Sequence, residues 1–197
     1  MVVHTAACGW PGHATRLAAT LYRYLETGGH YADAVTIHSN AHRAACSAGD
    51  RAAKATALTN LGIVRWRQGK YEQAAGCHRR ALAASREIGD RTGEAEALNG
   101  VGEIMLATGQ AEEACVQHAA ALSLASQIGD RYERARAHNG LAAAHHVTGD
   151  AGLARYHRCR ALDLYTDLGV PEDGEMQIRL AAFGQPGRGD HGDLVTL

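Results

Sequence analysis

The sequence predicts an all-α repeat protein, four helical hairpins stacked into a solenoid. Three observations carry that expectation. Of 197 residues 39 are Ala, whereas Phe occurs once and Pro three times. Ala favours helix and lets helices pack closely, and strand-favouring aromatics are scarce. Gly49-Asp50-Arg51, Gly89-Asp90-Arg91 and Gly129-Asp130-Arg131 recur forty residues apart, and Gly169 continues the series. A second series, Gly29, Gly69, Gly109 and Gly149, keeps the same lag, as do Ala34/Ala74/Ala114/Ala154 and Ala41/Ala81/Ala121/Ala161. Self-similarity at one such period is the mark of a stacked-repeat architecture.

Each forty-residue unit holds two helices. Ala52 to Arg67 has apolar residues at helical spacing (58, 61, 64 and 66) and stops at Gly69. A second helix runs from about Tyr71 to Ile88, with Ala74, His78, Ala81, Leu82 and Ser85 on one face. Gly89 then supplies a left-handed C′ residue, and Asp50, Asp90 and Asp130 cap the helices that follow. Asp130 and Glu133 have the spacing of a capping box. The recurring small residues mark close helix crossings. Residues 1–10 read as an N-terminal arm and 11–170 as the four hairpins. Pro171 opens a final helix, 171–184, whose Met176, Leu180 and Phe183 form a single apolar stripe suited to capping the last hairpin. Residues 185–197, rich in Gly and Pro at the start, read as a loose tail.

Composition excludes several function classes. Lys and Arg number 20 against 21 Asp and Glu, for a net charge of −1. A domain built to neutralise phosphates, or to lie on an anionic membrane, would be clearly basic. Five widely spaced Cys with no C-x-x-C make neither a disulfide framework nor a zinc site. The N-terminus lacks a signal-peptide pattern, and no stretch reaches transmembrane length, so the expected location is the cytoplasm. Of the 12 His, His38, His78 and His118 form a repeat column, which points to packing between helices rather than to a metal. Cys77 and His78 are adjacent on a helix and so point about 100° apart, a poor nucleophile and base. No P-loop, G-x-S-x-G or H-E-x-x-H occurs, and no cofactor or enzymatic activity is expected.

Leu58-x-x-Leu61-Gly62, Gly69, Tyr71, Ala74 and Ala81 resemble the tetratricopeptide repeat. The forty-residue period is similar to the lengthened repeat of kinesin light chains and of GoLoco-containing polarity adaptors. Ile-Gly-Asp-Arg at 88–91 and 128–131, Ala95-x-Ala97-Leu98-Asn99-Gly100, and the closing Leu168-Gly169-Val170-Pro171 most resemble the C-terminal repeats of actinobacterial SARP-type transcriptional regulators, the AfsR-like class. The resemblance implies a right-handed superhelix, and a C-terminal sensor or regulatory module of an activator of secondary metabolism. The DNA-binding and nucleotide-switch domains would then lie upstream, so this segment would touch neither nucleic acid nor membrane.

Stacked hairpins present the first helix of each unit to a concave groove. Projected from the resemblance, the groove for a protein or peptide ligand comprises Arg16, Thr20 and Arg23; Thr59, Asn60, Ile63, Trp66 and Arg67; Glu96, Asn99 and Glu103; and Arg136, Asn139 and His146. Asn disfavours helix interiors, so Asn60, Asn99 and Asn139 ask for a reason. Either they pair with the backbone of an extended peptide or they satisfy neighbouring helix groups. Asn60 stands one position later in its unit than the other two. Trp66 is either an anchor for a partner or a cover for the next repeat. Two further readings compete with the regulator: a free-standing adaptor, and a sensor that holds a peptide or metabolite within the superhelix.

Overall fold

The computed structural model describes residues 11–27 and 29–169. The arm at 1–10, the capping helix expected at 171–184 and the tail at 185–197 lie outside the described residues. Eight helices follow in order: α1 (Pro11–Thr27), α2 (Tyr31–Ala48), α3 (Arg51–Arg67), α4 (Tyr71–Ile88), α5 (Arg91–Ala107), α6 (Ala111–Ile128), α7 (Arg131–Thr148) and α8 (Ala151–Leu168). Among the described residues there is no strand.

The helices stop where glycine permits it. Gly49, Gly89, Gly129, Gly149 and Gly169 are left-handed at the ends of α2, α4, α6, α7 and α8, a conformation that costs other residues a Cβ clash. The first helices start on side-chain caps. Asp50, Asp90 and Asp130 accept from the backbone N–H of Ala53, Gly93 and Glu133 at 2.9, 3.0 and 2.9 Å. Asp150 caps α8 in the same way, from Leu153 N–H at 2.9 Å, although α8 is a second helix. The capping box at Asp130 is only half formed: Glu133 offers its N–H, but its carboxylate is engaged by Asn99 and Arg136.

Each helix packs against its neighbours in sequence. The first helices also touch one another, α1 with α3, α3 with α5 and α5 with α7. Among the described residues the second helices make no such contacts. The stack therefore bends toward its first helices, and α1, α3, α5 and α7 form the concave side. The core between the two layers is built from the repeat columns. Ala34, Ala74 and Ala114 are fully buried, as are Ala81, Ala121 and Ala161. Leu58, Val64, Leu98, Ile104 and Leu141 fill the wider gaps.

Candidate peptide-binding groove

The histidine column sits where packing demands it. His38, His78 and His118 are 1%, 2% and 0% exposed, and Arg158 continues the column in α8. Each imidazole rises from a second helix and wedges between two first helices. A β-carbon on Gly62 or on Gly100 would come within 2.5 Å of the His78 ring, and one on Gly102 within 2.6 Å of His118. Gly140 closes the other side of His118 more tightly still. Two missing side chains thus make the socket for the His78 and the His118 ring. Burial pushes the pKa of His38, His78 and His118 down to about 4, so all three are neutral at pH 7.

The three asparagines do not form one row, as the one-residue offset of Asn60 implies. Asn99 is fully buried, and its amide is spent inside the protein. Its Nδ2 donates to the backbone oxygen of Glu133 at 3.1 Å and to Glu133 Oε2 at 2.9 Å. Its Oδ1 lies 3.0 Å from His118 Nδ1. Because that oxygen only accepts, the His118 proton is on Nδ1. Asn60 is buried for another reason. Its one-residue offset puts it in the Gly100/Gly140 column, where it lines a cavity of about 250 Å³ together with His38 and Arg16. Thr59, which occupies the Asn99 column, is 3% exposed. Asn139 alone of the three is half-buried on the concave side.

The other groove candidates divide similarly. Ile63 and Trp66 are half-buried on α3, and Trp66 Nε1 is buried without a hydrogen-bond partner. The Arg67 guanidinium lies 4.8 Å from the Trp66 ring centroid and shields one face of it. His146 is exposed in the last turn of α7. Arg23 lies within α1, and its side chain falls outside the described residues.

Sequence reasoning named Glu96, Glu103 and Arg136 but missed Glu133, which joins them into one charged node. Arg136 bonds Glu103 Oε1 at 2.8 Å and Glu133 Oε1 at 3.1 Å. Burial opposes the charge on Arg136, but Glu103, Glu133 and Glu96 outweigh it and hold the guanidinium protonated. Burial likewise opposes Glu103, yet Arg136 keeps that carboxyl below its ordinary value. Glu96 is different. Burial, reinforced by Glu133, Asp90 and Glu103, pushes it up to about 7 against the pull of Arg136. The signal for Glu133 was its capping-box spacing, which pointed to the wrong partner.

The fold and its concave face define a solenoid of stacked helical hairpins. The family model for the tetratricopeptide repeat matches residues 15–87. That match covers the first two hairpins, and the same caps and small-residue columns continue through Gly169. The chain is similar in fold to the crystal structure of BtubC (BKLC) from P. vanneervenii. The two share 17% identity and a TM-score of 0.65, with 99% of this chain and 96% of that one covered. No curated protein matches the chain. No described helix is long and apolar enough to cross a membrane.

Proposed function

We propose that this is a non-catalytic module that binds a protein or an extended peptide along its concave face. One observation carries the reading. Ile63, Trp66, Glu96, Glu103 and Asn139 remain partly open on first helices whose opposite faces are sealed into the core. Rigid helices thereby hold a continuous row of apolar, acidic and amide groups, with little ordering left to do on binding. Asn99 supports that row from beneath rather than touching the ligand. A photo-crosslinking residue placed at Asn139 should trap a partner in source cells, while the same residue at Val116, exposed on the outer helix α6, should not. Equal trapping at both sites would overturn the groove as the binding face.

The finer context is the C-terminal sensor or regulatory domain of a SARP-type transcriptional regulator, acting in the cytoplasm on upstream domains of the same chain. What supports it is the resemblance at 88–91, 95–100, 128–131 and 168–171. A native polypeptide several times larger than 20.9 kDa on an immunoblot agrees with it. A native band near that mass rejects it in favour of the free-standing adaptor, which four hairpins with their own core permit.

A further inference from the structure

The groove's charged node has an excess of acceptors, and the excess specifies what it takes. Three carboxylates (Glu96, Glu103 and Glu133) share one guanidinium, Arg136, which pairs with the last two. Among the described residues Glu96 has no hydrogen bond or ion pair, although it is half-buried on α5. From below, two buried imidazoles flank α5, His78 in its seam with α3 and His118 in its seam with α7, and both feel Glu103 and Arg136. His118 Nε2, in a side chain that is 0% exposed, has no partner. With its proton fixed on Nδ1 by Asn99, that nitrogen presents only a lone pair. It lies against Gly102 and Gly140, beside Glu103 on α5 and one turn beyond Arg136 on α7. His78, 2% exposed, has an unpartnered Nδ1 and packs on Gly100, between Glu96 and Glu103 on the same face of α5.

An anion is repelled from such a node, and an apolar side chain would leave Glu96 desolvated and unpaired. We propose that the node is a subsite for one Lys or Arg side chain of an extended partner segment, with Glu96 as the counter-ion that cation pairs. This rests on the groove reading above and names what its centre recognises. The neighbouring inner helix supplies the other half of the motif. Ile63 holds on α3 the place that Glu103 holds on α5, one repeat on, with Trp66 a turn further along. Packed helices lie roughly 10 Å apart, and an extended chain covers roughly 3.3 Å per residue. The basic residue should therefore stand about three residues from an apolar one.

The test is selection of a displayed random-peptide library on the full chain, in parallel with its Glu96→Gln variant. Gln keeps the shape and removes only the charge, so a cooperative melt no lower than that of the wild type is the control for folding. The inference expects a wild-type motif with Lys or Arg about three residues from an apolar position. The variant should lose the basic preference and keep the apolar one. Synthetic peptides of that motif should bind the variant about tenfold more weakly. Wild-type binding should fall from about pH 8 to 6 as Glu96 takes up its proton, while variant binding stays flat. Glu133, Arg136, Asp90 and Glu103 are the charged groups that act on Glu96, with His78 and His118 beneath Glu103 and Arg136, and both proteins share them all. A motif without a basic position, or one that the variant still selects, overturns the subsite and leaves the groove standing. Failure of either protein to select any peptide overturns the groove reading, and the subsite with it.

Discussion

Asn99 and His118 depend on each other. His118 Nδ1–H donates to Asn99 Oδ1, and Asn99 Nδ2–H donates to Glu133 on the next first helix, so three helices are joined by one amide. Truncating Asn99 to Ala leaves a fully buried imidazole N–H without an acceptor. The expected cost is about 1–3 kcal/mol, read as a lower urea midpoint at unchanged slope. A stable Asn99→Ala protein would mean that His118 finds another acceptor. The glycine socket makes a sharper demand. Gly140→Ala would drive a methyl group into the His118 ring, which two helices hold in place. Overpacking of this kind costs about 1–3 kcal/mol. Gly76 has nothing within contact range of an added β-carbon. Gly76→Ala should therefore be neutral or stabilising by the helix-propensity difference, about 1 kcal/mol at most.

At the scale of the helix, the first helices and the second helices start differently. Asp50, Asp90 and Asp130 cap α3, α5 and α7, whereas α2, α4 and α6 follow His30, Lys70 and Gln110 with no side-chain cap. Among the described second helices only α8, at the end of the stack, starts on a side-chain cap, from Asp150. Asp130 does more than satisfy an orphan N–H, because the turn it fixes also carries Glu133, the partner of both Asn99 and Arg136. Asp130→Ala should cost about 1 kcal/mol for the cap itself. It should also raise amide exchange at the start of α7, which Asp50→Ala at α3 would leave untouched. If both substitutions loosened α7 equally, the coupling between cap and node would be refuted.

Across the whole molecule, buried imidazoles make the solenoid sensitive to acid. His38, His78, His118 and His138 are each held down to about 4, in every case first by burial. His138 is further opposed by His157, whose Nδ1 lies 2.9 Å away. In the unfolded chain these groups take up protons near their ordinary value of about 6.5. Between that pH and about 4 the unfolded state binds more protons, so stability rises with pH there. The stability is complete above about pH 6.5 and drains away as pH falls, by as much as about 3 kcal/mol for each fully buried imidazole. Glu96 acts in the opposite sense, since its carboxyl is raised to about 7 and the fold gains as it protonates. Four histidines outweigh one glutamate. Melting temperature should therefore drop between neutral pH and about pH 5 at constant salt. A flat profile would show that the rings are not buried neutral.

The forty-residue lag, the glycine stops and the aspartate starts determined the architecture from sequence alone, because each is a local signal: a φ that only glycine takes cheaply, or a cap acting three residues along the chain. The histidine column was legible as packing for the same reason, since recurrence with the repeat implies a place in the stack. The site was only partly legible. Asn99, Asn139 and Asn60 look alike as letters, but a helix turns about 100° per residue. One position of offset therefore sends Asn60 into the His38 cavity, and a single contact, His118 to Asn99, decides that Asn99 faces inward. Glu133 shows the limit most clearly. Its spacing from Asp130 announced a local capping box, and the helix from the previous repeat claimed its carboxylate instead. Contacts between residues more than thirty apart in the chain set the burial, the proton positions and the charge balance of the groove. Those depend on which side chains the stacked helices bring within hydrogen-bond reach, and only the tertiary structure decides that.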